Sequence, residues 1–463
     1  MKYNLTVIGA GPGGYMAAIK AAQLGLKVAL IEKDHVGGTC LNRGCISTKA
    51  LLYSANLYRE AKAFSDIGIN IKELAFDFNK MHEYKNATVL KVRDGVEFLL
   101  KANNIHIYNG MAVLMAEDRV KVTGKADCEI FTDKILIATG SVPVLPDVNG
   151  IESNCVLTSD QILEGSHNFP KHITIIGGGV IGVEFATIYN ALDAEVAIIE
   201  IADSLIPSID KEISRHLTMM LKRQGVKLNL KSFVTRIEKG DKLKCYFKHK
   251  AKEHCIETDM ILTAIGRRPN TDGLGLAQLG VYTENGKILV NEKFATNIPN
   301  IYAIGDVLGG VQLAHLASAQ AIYAVEAITG VQSSIDLNTI SNCIYTTPEI
   351  ATVGMSTEDA ERAGIEIITG RFPMSANGKA MIEKQEIGFV KVICEKETGR
   401  LIGAAMLCPR ATDMIGELSL AIANEMTIDK IANLIHPHPT FSEAVFEAAE
   451  NVYGVSVHLL PQK

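Results

Sequence analysis

Positive charge is the first thing this 463-residue sequence lacks: 46 Lys and Arg stand against 52 Asp and Glu, a net charge of -6. Such a chain has no general attraction for phosphate backbones or anionic membrane surfaces, so neither nucleic acid nor membrane is an expected partner. Long apolar runs are missing too, none reaching the roughly 18 uncharged residues that cross a bilayer. Met1-Lys2-Tyr3-Asn4 leads almost at once into a strand pattern, leaving no room for a signal peptide, and a cytoplasmic chain is the expectation. No low-complexity segment occurs, and no appended domain is expected before the first strand. Of the nine cysteines, Cys128, Cys155, Cys245, Cys255, Cys343, Cys394 and Cys408 lie far apart, without metal-ligand spacing. No metal is expected, and these seven read as free thiols of a reducing cytosol. Cys40 and Cys45 are a separate case.

What is present is an ordinary globular composition, 47% hydrophobic and 21% charged, in a chain long enough for two to four domains. Its strongest signal is an internal repeat. Leu5-Thr6-Val7-Ile8-Gly9-Ala10-Gly11-Pro12-Gly13-Gly14 is an apolar strand entering a Gly-rich turn, and Ile173-Thr174-Ile175-Ile176-Gly177-Gly178-Gly179-Val180-Ile181-Gly182 repeats it. Helical patterns follow, over Tyr15 to Leu24 and Val183 to Leu192. Each then leads to a strand ending in an acid, Glu32 or Glu200, at the same interval of 23 residues from the first glycine. Each copy is a βαβ start, which predicts two doubly wound, Rossmann-like α/β domains. Ile135 to Gly140 and Ile261 to Gly266 match as buried strands stopping at a glycine. A mainly helical insertion between Cys45 and about Asn104 belongs to the first copy alone. Ile301-Tyr302-Ala303-Ile304-Gly305-Asp306 returns the chain to the first domain, and strands mixed with helices follow as an α+β layer. The expected division is 1–145 and 271–335 for the first nucleotide-binding domain, 146–270 for the second, and 336–463 for the C-terminal domain.

Gly9, Gly11 and Gly14 allow, in turn, the tight turn, backbone approach to a pyrophosphate, and close helix–strand packing. The helix N-terminus offers free N–H groups and a positive dipole to the phosphates. Glu32 is placed for a ribose hydroxyl pair. In the second copy Gly177, Gly179 and Gly182 take these parts. Glu200 there welcomes the 2′-OH of NAD and opposes a 2′-phosphate, with no cation at Ile201, Ala202 or Ile206.

Cys40 and Cys45 lie five positions apart in Gly37-Gly38-Thr39-Cys40-Leu41-Asn42-Arg43-Gly44-Cys45. A regular helix would separate their Cα atoms by about 8–9 Å, whereas a disulfide needs less than about 7 Å. If they bond, the turn is distorted, and Gly44 supplies the freedom. Near the other end stands His436-Pro437-His438-Pro439-Thr440-Phe441-Ser442-Glu443, a histidine pair in a Pro-stiffened turn with a carboxylate to orient one imidazole as a base. Spacing alone does not choose between His436 and His438.

The run Gly38 to Lys49, together with the rest of the chain, resembles the pyridine nucleotide–disulfide oxidoreductases. The resemblance implies FAD on the first fingerprint and NAD on the second, with a C-terminal dimerisation domain making a homodimer. It implies that Cys40 and Cys45 form a redox disulfide, Cys40 exchanging with substrate and Cys45 lying beside the flavin. Lys49 would sit near the flavin paired with Glu184, and His438 with Glu443 would be the base, serving the other subunit's disulfide while His436 is structural. Asp306 would hold the FAD ribityl chain, and Gln312, Leu313, Ala314 and His315 would form a loop along its ring system. Further FAD contacts are implied at Lys33, Gly38, Thr39 and Ala112, and at Thr139, Gly140 and Ser141. NAD contacts are implied at Gly178, Val180 and Ile181, and at Val234 and Gly266. Ser47 stands where the family usually has Pro, and Gln320-Ala321 where it has an acid and Gly. Within the family the chain is most similar to members that oxidise dihydrolipoamide on a lipoylated carrier of a 2-oxoacid dehydrogenase or glycine cleavage system. The Tyr345-to-Gly354 stretch carries that likeness. Glutathione-reductase-like and mercuric-reductase-like activities are the alternatives. The former is opposed by Glu200 and the latter by the absence of a C-terminal cysteine pair. A non-catalytic flavin-binding scaffold would leave both the thiols and the His–Glu pair idle.

Overall fold

The computed structural model describes residues 2–165 and 167–460. Strand β1 (Lys2–Ile8) is buried on both faces from Leu5 to Ile8, the mark of a parallel sheet covered by helices on each side. It pairs in parallel with β2 (Val28–Glu32) on one edge and with β5 (Cys128–Ile137) on the other. The first half of β3 (His106–Ala116) continues the sheet beyond β2. Its second half leaves with β4 (Arg119–Gly124) in an antiparallel meander that comes back as the start of β5. Ile301–Ala303 then adds in parallel to β5, so the late strand does rejoin the first sheet.

Helix α1 (Pro12–Gln23) links β1 to β2, while α2 (Gly38–Arg43), α3 (Cys45–Ala61) and α4 (Phe78–Ala102) fill the insertion between β2 and β3. The helices of the repeat begin three residues earlier than the side-chain pattern predicts, at Pro12 and Val180. Glycine is costly inside a helix, but proline and glycine are tolerated in a first turn that has no intrahelical donors to lose.

A second, wholly parallel sheet runs in the order Lys227–Asn229, Glu195–Ile199, His172–Ile176, Met260–Thr263, Val156–Thr158. An antiparallel meander, Ser232–Glu238, Leu243–His249 and Lys252–Thr258, lies beside it. The C-terminal layer is a five-stranded antiparallel sheet from Asn342 to Cys408, covered by helices Ala411–Ala423 and Glu443–Asn451.

One buried polar contact and one aromatic cluster tie these layers together. Asp210 caps helix Lys211–Arg223 through the Glu212 N–H, and its other oxygen accepts from Lys391 of the C-terminal sheet at 2.9 Å. Elsewhere Phe78 of α4 packs edge-on against His82, His167 and Phe169, and His82 edge-on against His167, with Tyr189 of the second repeat's helix beside Phe78. His82 is 6% exposed, and neither of its ring nitrogens has a partner among the described residues.

That environment gives His82 a consequence for pH. Burial first, then the nearby Lys85 and His167, push its pKa down to about 4 from an ordinary 6.5. The unfolded chain therefore takes up the proton first, so the stability contributed is complete above pH 6.5 and is lost as pH falls toward 4. The loss should reach about 3 kcal/mol at pH 4. His82→Phe should flatten the fall of melting temperature across that window. An equally steep fall in the variant would contradict the assignment.

Candidate active site

The two Gly-rich turns superimpose in their chemistry as well as in sequence. A Cβ on Gly14 would lie 1.8 Å from the Gly9 carbonyl oxygen, and one on Gly182 2.1 Å from that of Gly177, so only glycine lets each helix dock on its strand. Neither helix has a side-chain cap, which leaves first-turn N–H groups free to receive phosphate oxygens. The acids at the ends of the second strands are clamped alike. Glu32 accepts from the N–H groups of Ala10 at 2.7 Å and Asp34 at 2.9 Å; Glu200 accepts from those of Gly178 and Ala202. Burial pushes the Glu32 carboxyl up, and the Ala10 N–H and neighbouring cations oppose it. Each carboxylate oxygen keeps a lone pair for a ribose hydroxyl.

Gly9, Glu32, Lys33, Ala112 and Thr139 line one cleft beside the first turn, which fits an adenosine end placed there. At the second turn, Val234 packs against the apolar cluster that includes Ile176 and Ile199. Ile206 is buried, and a cation does approach from outside the motif. Lys231 is held next to Ala202 by its backbone, and its ammonium lies 3.8 Å from Asp203.

Between the turns lies the thiol pair. The spacing conflict is resolved by breaking the helix: α2 stops at Arg43, Gly44 is non-helical (φ -145°, ψ -114°), and α3 starts at Cys45. A Cβ on Gly44 would approach the Thr39 carbonyl oxygen to 2.9 Å, so the fold-back depends on glycine there. Ser47 donates to the Gly44 carbonyl at 3.2 Å, which secures the turn without proline. The pairing of the two free thiols acts on them in opposite directions. It lowers Cys45 to about 7, against burial and with help from the Lys49 ammonium, and it raises Cys40. The start of a 17-residue helix at Cys45 favours a thiolate in the same direction.

One helical turn on, Lys49 meets both oxygens of Glu184 at 2.9 Å. Glu184 is 4% exposed and also accepts from the Tyr345 N–H at 3.0 Å, while the Tyr345 ring lies 4.4 Å from the Lys49 ammonium. Asp306 accepts from Ser141 Oγ at 2.7 Å, and Ser141 Oγ in turn accepts from Arg267 Nε at 2.9 Å. Arg267 is anchored on Asp160 and reaches Thr39. Sequence reasoning missed Arg267 and Tyr345. For Arg267 the available signal was its place directly after Gly266, at the end of a buried strand. For Tyr345 there was none beyond its motif. The segment read as a loop, Gln312 to His315, is corrected by the structure: helix Ala314–Thr329 takes in Ala314 and His315, and the His315 Nε2 meets the Ser341 carbonyl oxygen.

On the C-terminal layer, His438 Nδ1 lies 2.8 Å from Glu443 Oε1, and the Thr440 N–H holds the other carboxylate oxygen. Burial acts upward on Glu443, but that N–H and the imidazole keep it below the usual carboxylate range. The His438 side chain is 77% exposed and faces solvent in the single chain. His436 is instead buried on Glu417 at 3.1 Å and on the Leu434 carbonyl. Among the described residues no group of three or more His, Cys, Asp or Glu could hold a metal ion.

The family described as "Pyridine nucleotide-disulphide oxidoreductase" matches residues 3–321, and its dimerisation domain matches residues 340–449. A dihydrolipoyl dehydrogenase of Bacillus subtilis (strain 168) is 41% identical over 459 residues, spanning 98% of this chain and 97% of the relative. The mitochondrial dihydrolipoyl dehydrogenase of Pisum sativum is 38% identical, over 98% of this chain and 92% of its own. Among solved structures, the HOCl-induced flavoprotein disulfide reductase RclA from Escherichia coli superimposes with a TM-score of 0.88 at 29% identity, covering 97% of this chain and 99% of that one.

Because the two turns are built alike but separately, their glycines should be separable. Gly14→Ala and Gly182→Ala should each cost about 1–3 kcal/mol of stability. Each should abolish nucleotide binding at its own turn only, as read by calorimetric titration of the two dinucleotides. Loss of the first nucleotide in Gly182→Ala, with the second retained, would contradict this geometry.

Proposed function

The chain belongs to the pyridine nucleotide–disulphide oxidoreductase family, and we propose that within it the protein is a dihydrolipoyl dehydrogenase using FAD and NAD. The observation that carries this reading is the Cys40–Cys45 pair flanking the helix break at Gly44, one helical turn from the Lys49–Glu184 pair. The name carried by the Bacillus and pea relatives supports the substrate.

A dithiol attacks only as thiolate. His438 is the base: Glu443 holds its Nδ1, leaving Nε2 to take the proton. The first substrate sulfur attacks Cys40 in the Cys40–Cys45 disulfide, and Cys45 leaves as thiolate. The second substrate sulfur then displaces Cys40 and closes the lipoyl disulfide. Two electrons have passed to the protein, with one proton on Cys40 and one on His438. This is the charge state the pair favours, Cys40 as the thiol donor and Cys45 as the lowered acceptor. FAD, when bound, supplies the two-electron relay from Cys45 to the nicotinamide. Glu32 and Asp306 are the residues that would hold its ribose and ribityl hydroxyls, and Glu200 selects the unphosphorylated ribose of NAD.

His438 belongs to the dimerisation domain and is exposed, which supports a symmetric homodimer in which it serves the partner's thiols. The macromolecular partner is a lipoylated carrier of a 2-oxoacid dehydrogenase or glycine cleavage system. A cytosolic setting accords with this partner and with free thiols, and among the described residues no helix is long and apolar enough to cross a membrane.

Assay of the purified protein should give turnover with dihydrolipoamide and NAD, and none with glutathione disulfide and NADPH. NAD should exceed NADP by about tenfold or more in kcat/KM; equal use of both would refute the role of Glu200. His438→Gln should slow the dithiol half-reaction by about 10²–10⁴ while flavin is retained. Cys40→Ser should show the long-wavelength absorbance of a Cys45 thiolate against oxidised flavin without any reductant, and Cys45→Ser should never show it. The opposite pattern would reverse the two roles.

A further inference from the structure

Asp306 is held from two directions, and only one of them is visible in its side chain. On the side-chain side, its carboxylate accepts from Ser141, which Arg267 fixes in turn. On the backbone side the chain is leaving the sheet. The Ile304 N–H makes the last bond to that sheet, to the Ile137 carbonyl oxygen at 2.9 Å. Gly305 then turns at φ +75° into the short helical turn Gly305–Leu308 that carries Asp306. Its N–H is the first donor beyond the ladder, and an unpaired buried donor would cost the turn its definition.

Gln320 takes that donor. Its Oε1 accepts from the Gly305 N–H at 2.8 Å, from a position two helical turns into Ala314–Thr329. The helix is fixed against the nucleotide turn itself. Gly13 of α1 packs so closely on the Ala317 carbonyl that a Cβ there would lie 3.2 Å away, and Ala321 is fully buried on the same side. A residue on this helix face is therefore tied to the position of α1, and through Gly305 to that of Asp306.

The geometry points to Gln320 as a positioning residue for the flavin site: its carbonyl oxygen fixes the Gly305 turn so that Asp306 presents its carboxylate to the cofactor's polyol chain. This deepens the flavin reading proposed above and rests on it. What the position needs is an acceptor of glutamine's length. Glutamate supplies one, whereas leucine fills the space without one and asparagine falls short by a methylene.

The test is FAD retention, followed by the recovery of flavin fluorescence when holoenzyme is diluted, in Gln320→Leu, Gln320→Glu, Asp306→Ala and the Gln320→Leu/Asp306→Ala double variant. Gln320→Leu should weaken FAD by about tenfold, and Gln320→Glu should hold it within about twofold of the native protein. In the Asp306→Ala background the leucine substitution should cost almost nothing more, because its effect passes through Asp306. Native retention in Gln320→Leu, equal weakening in Gln320→Glu, or full additivity in the double variant would each overturn the inference. Should Asp306→Ala alone leave retention unchanged, the flavin reading of the turn falls and this inference with it. That result is distinct from the others because it appears without any change at Gln320. If Gln320→Leu does not fold, Gln320→Asn takes its place, with the same weakening and the same non-additivity expected.

Discussion

The Lys49–Glu184 pair is the contact on which the rest of the site depends. A carboxylate that is 4% exposed has to be matched by a cation and by donors for its remaining lone pairs, or its burial is prohibitive. Lys49 comes from α3 and Glu184 from the helix of the second repeat. The N–H and ring that complete the cluster come from Tyr345 in the C-terminal layer. Three separately built layers thus meet at one charge pair. Because Lys49 follows Cys45 by one helical turn, that junction also places Cys45 and adds to the lowering of its pKa. Removing Lys49 would leave the Glu184 charge buried without its cation, so the pair constrains how the layers assemble.

The repeated βαβ unit shows how one local solution serves two purposes. Both copies use the same three glycines and the same carboxylate clamp on backbone N–H groups at matching offsets. What separates them is what surrounds the clamp. Glu32 faces a cleft bounded by strand β3 and Thr139, whereas Glu200 lies near the exposed Asp203–Lys231 pair. The two surroundings differ through neighbours outside the motif, β3 and Thr139 at the first turn and Asp203 with Lys231 at the second.

This is also why some of the site was legible in the sequence and some was not. The strand, turn, helix and acid of each repeat are set by local sterics and periodicity, and they appear where expected, apart from helix starts hidden by glycines that a first turn tolerates. The five-residue spacing of Cys40 and Cys45 posed a conflict whose resolution, a break at Gly44, was readable from the glycine itself. The choice of His438 over His436 was not readable from spacing. The structure separates the two by burial: His436 is spent on Glu417, and the His438 side chain is left open. Arg267 could be marked by its place after Gly266, but its contact with Ser141, 126 positions away, and that of Tyr345 with Glu184, 161 away, were out of reach, as was the side-chain reach of Gln320 to Gly305 across 15 positions. No local pattern encodes such a contact.

The central claim is that reducing equivalents pass between a nicotinamide and one specific thiol pair. It is tested most directly by alkylating the holoenzyme before and after anaerobic addition of NADH and locating the labelled cysteines by peptide mass spectrometry. Cys155 and Cys255, exposed in the fold, should label in both states. Cys40 and Cys45 should be protected as a disulfide beforehand and should both label afterwards, with Cys245, Cys394 and Cys408 silent throughout. An unchanged labelling pattern on NADH addition, or new label at any cysteine other than Cys40 and Cys45, would contradict the account.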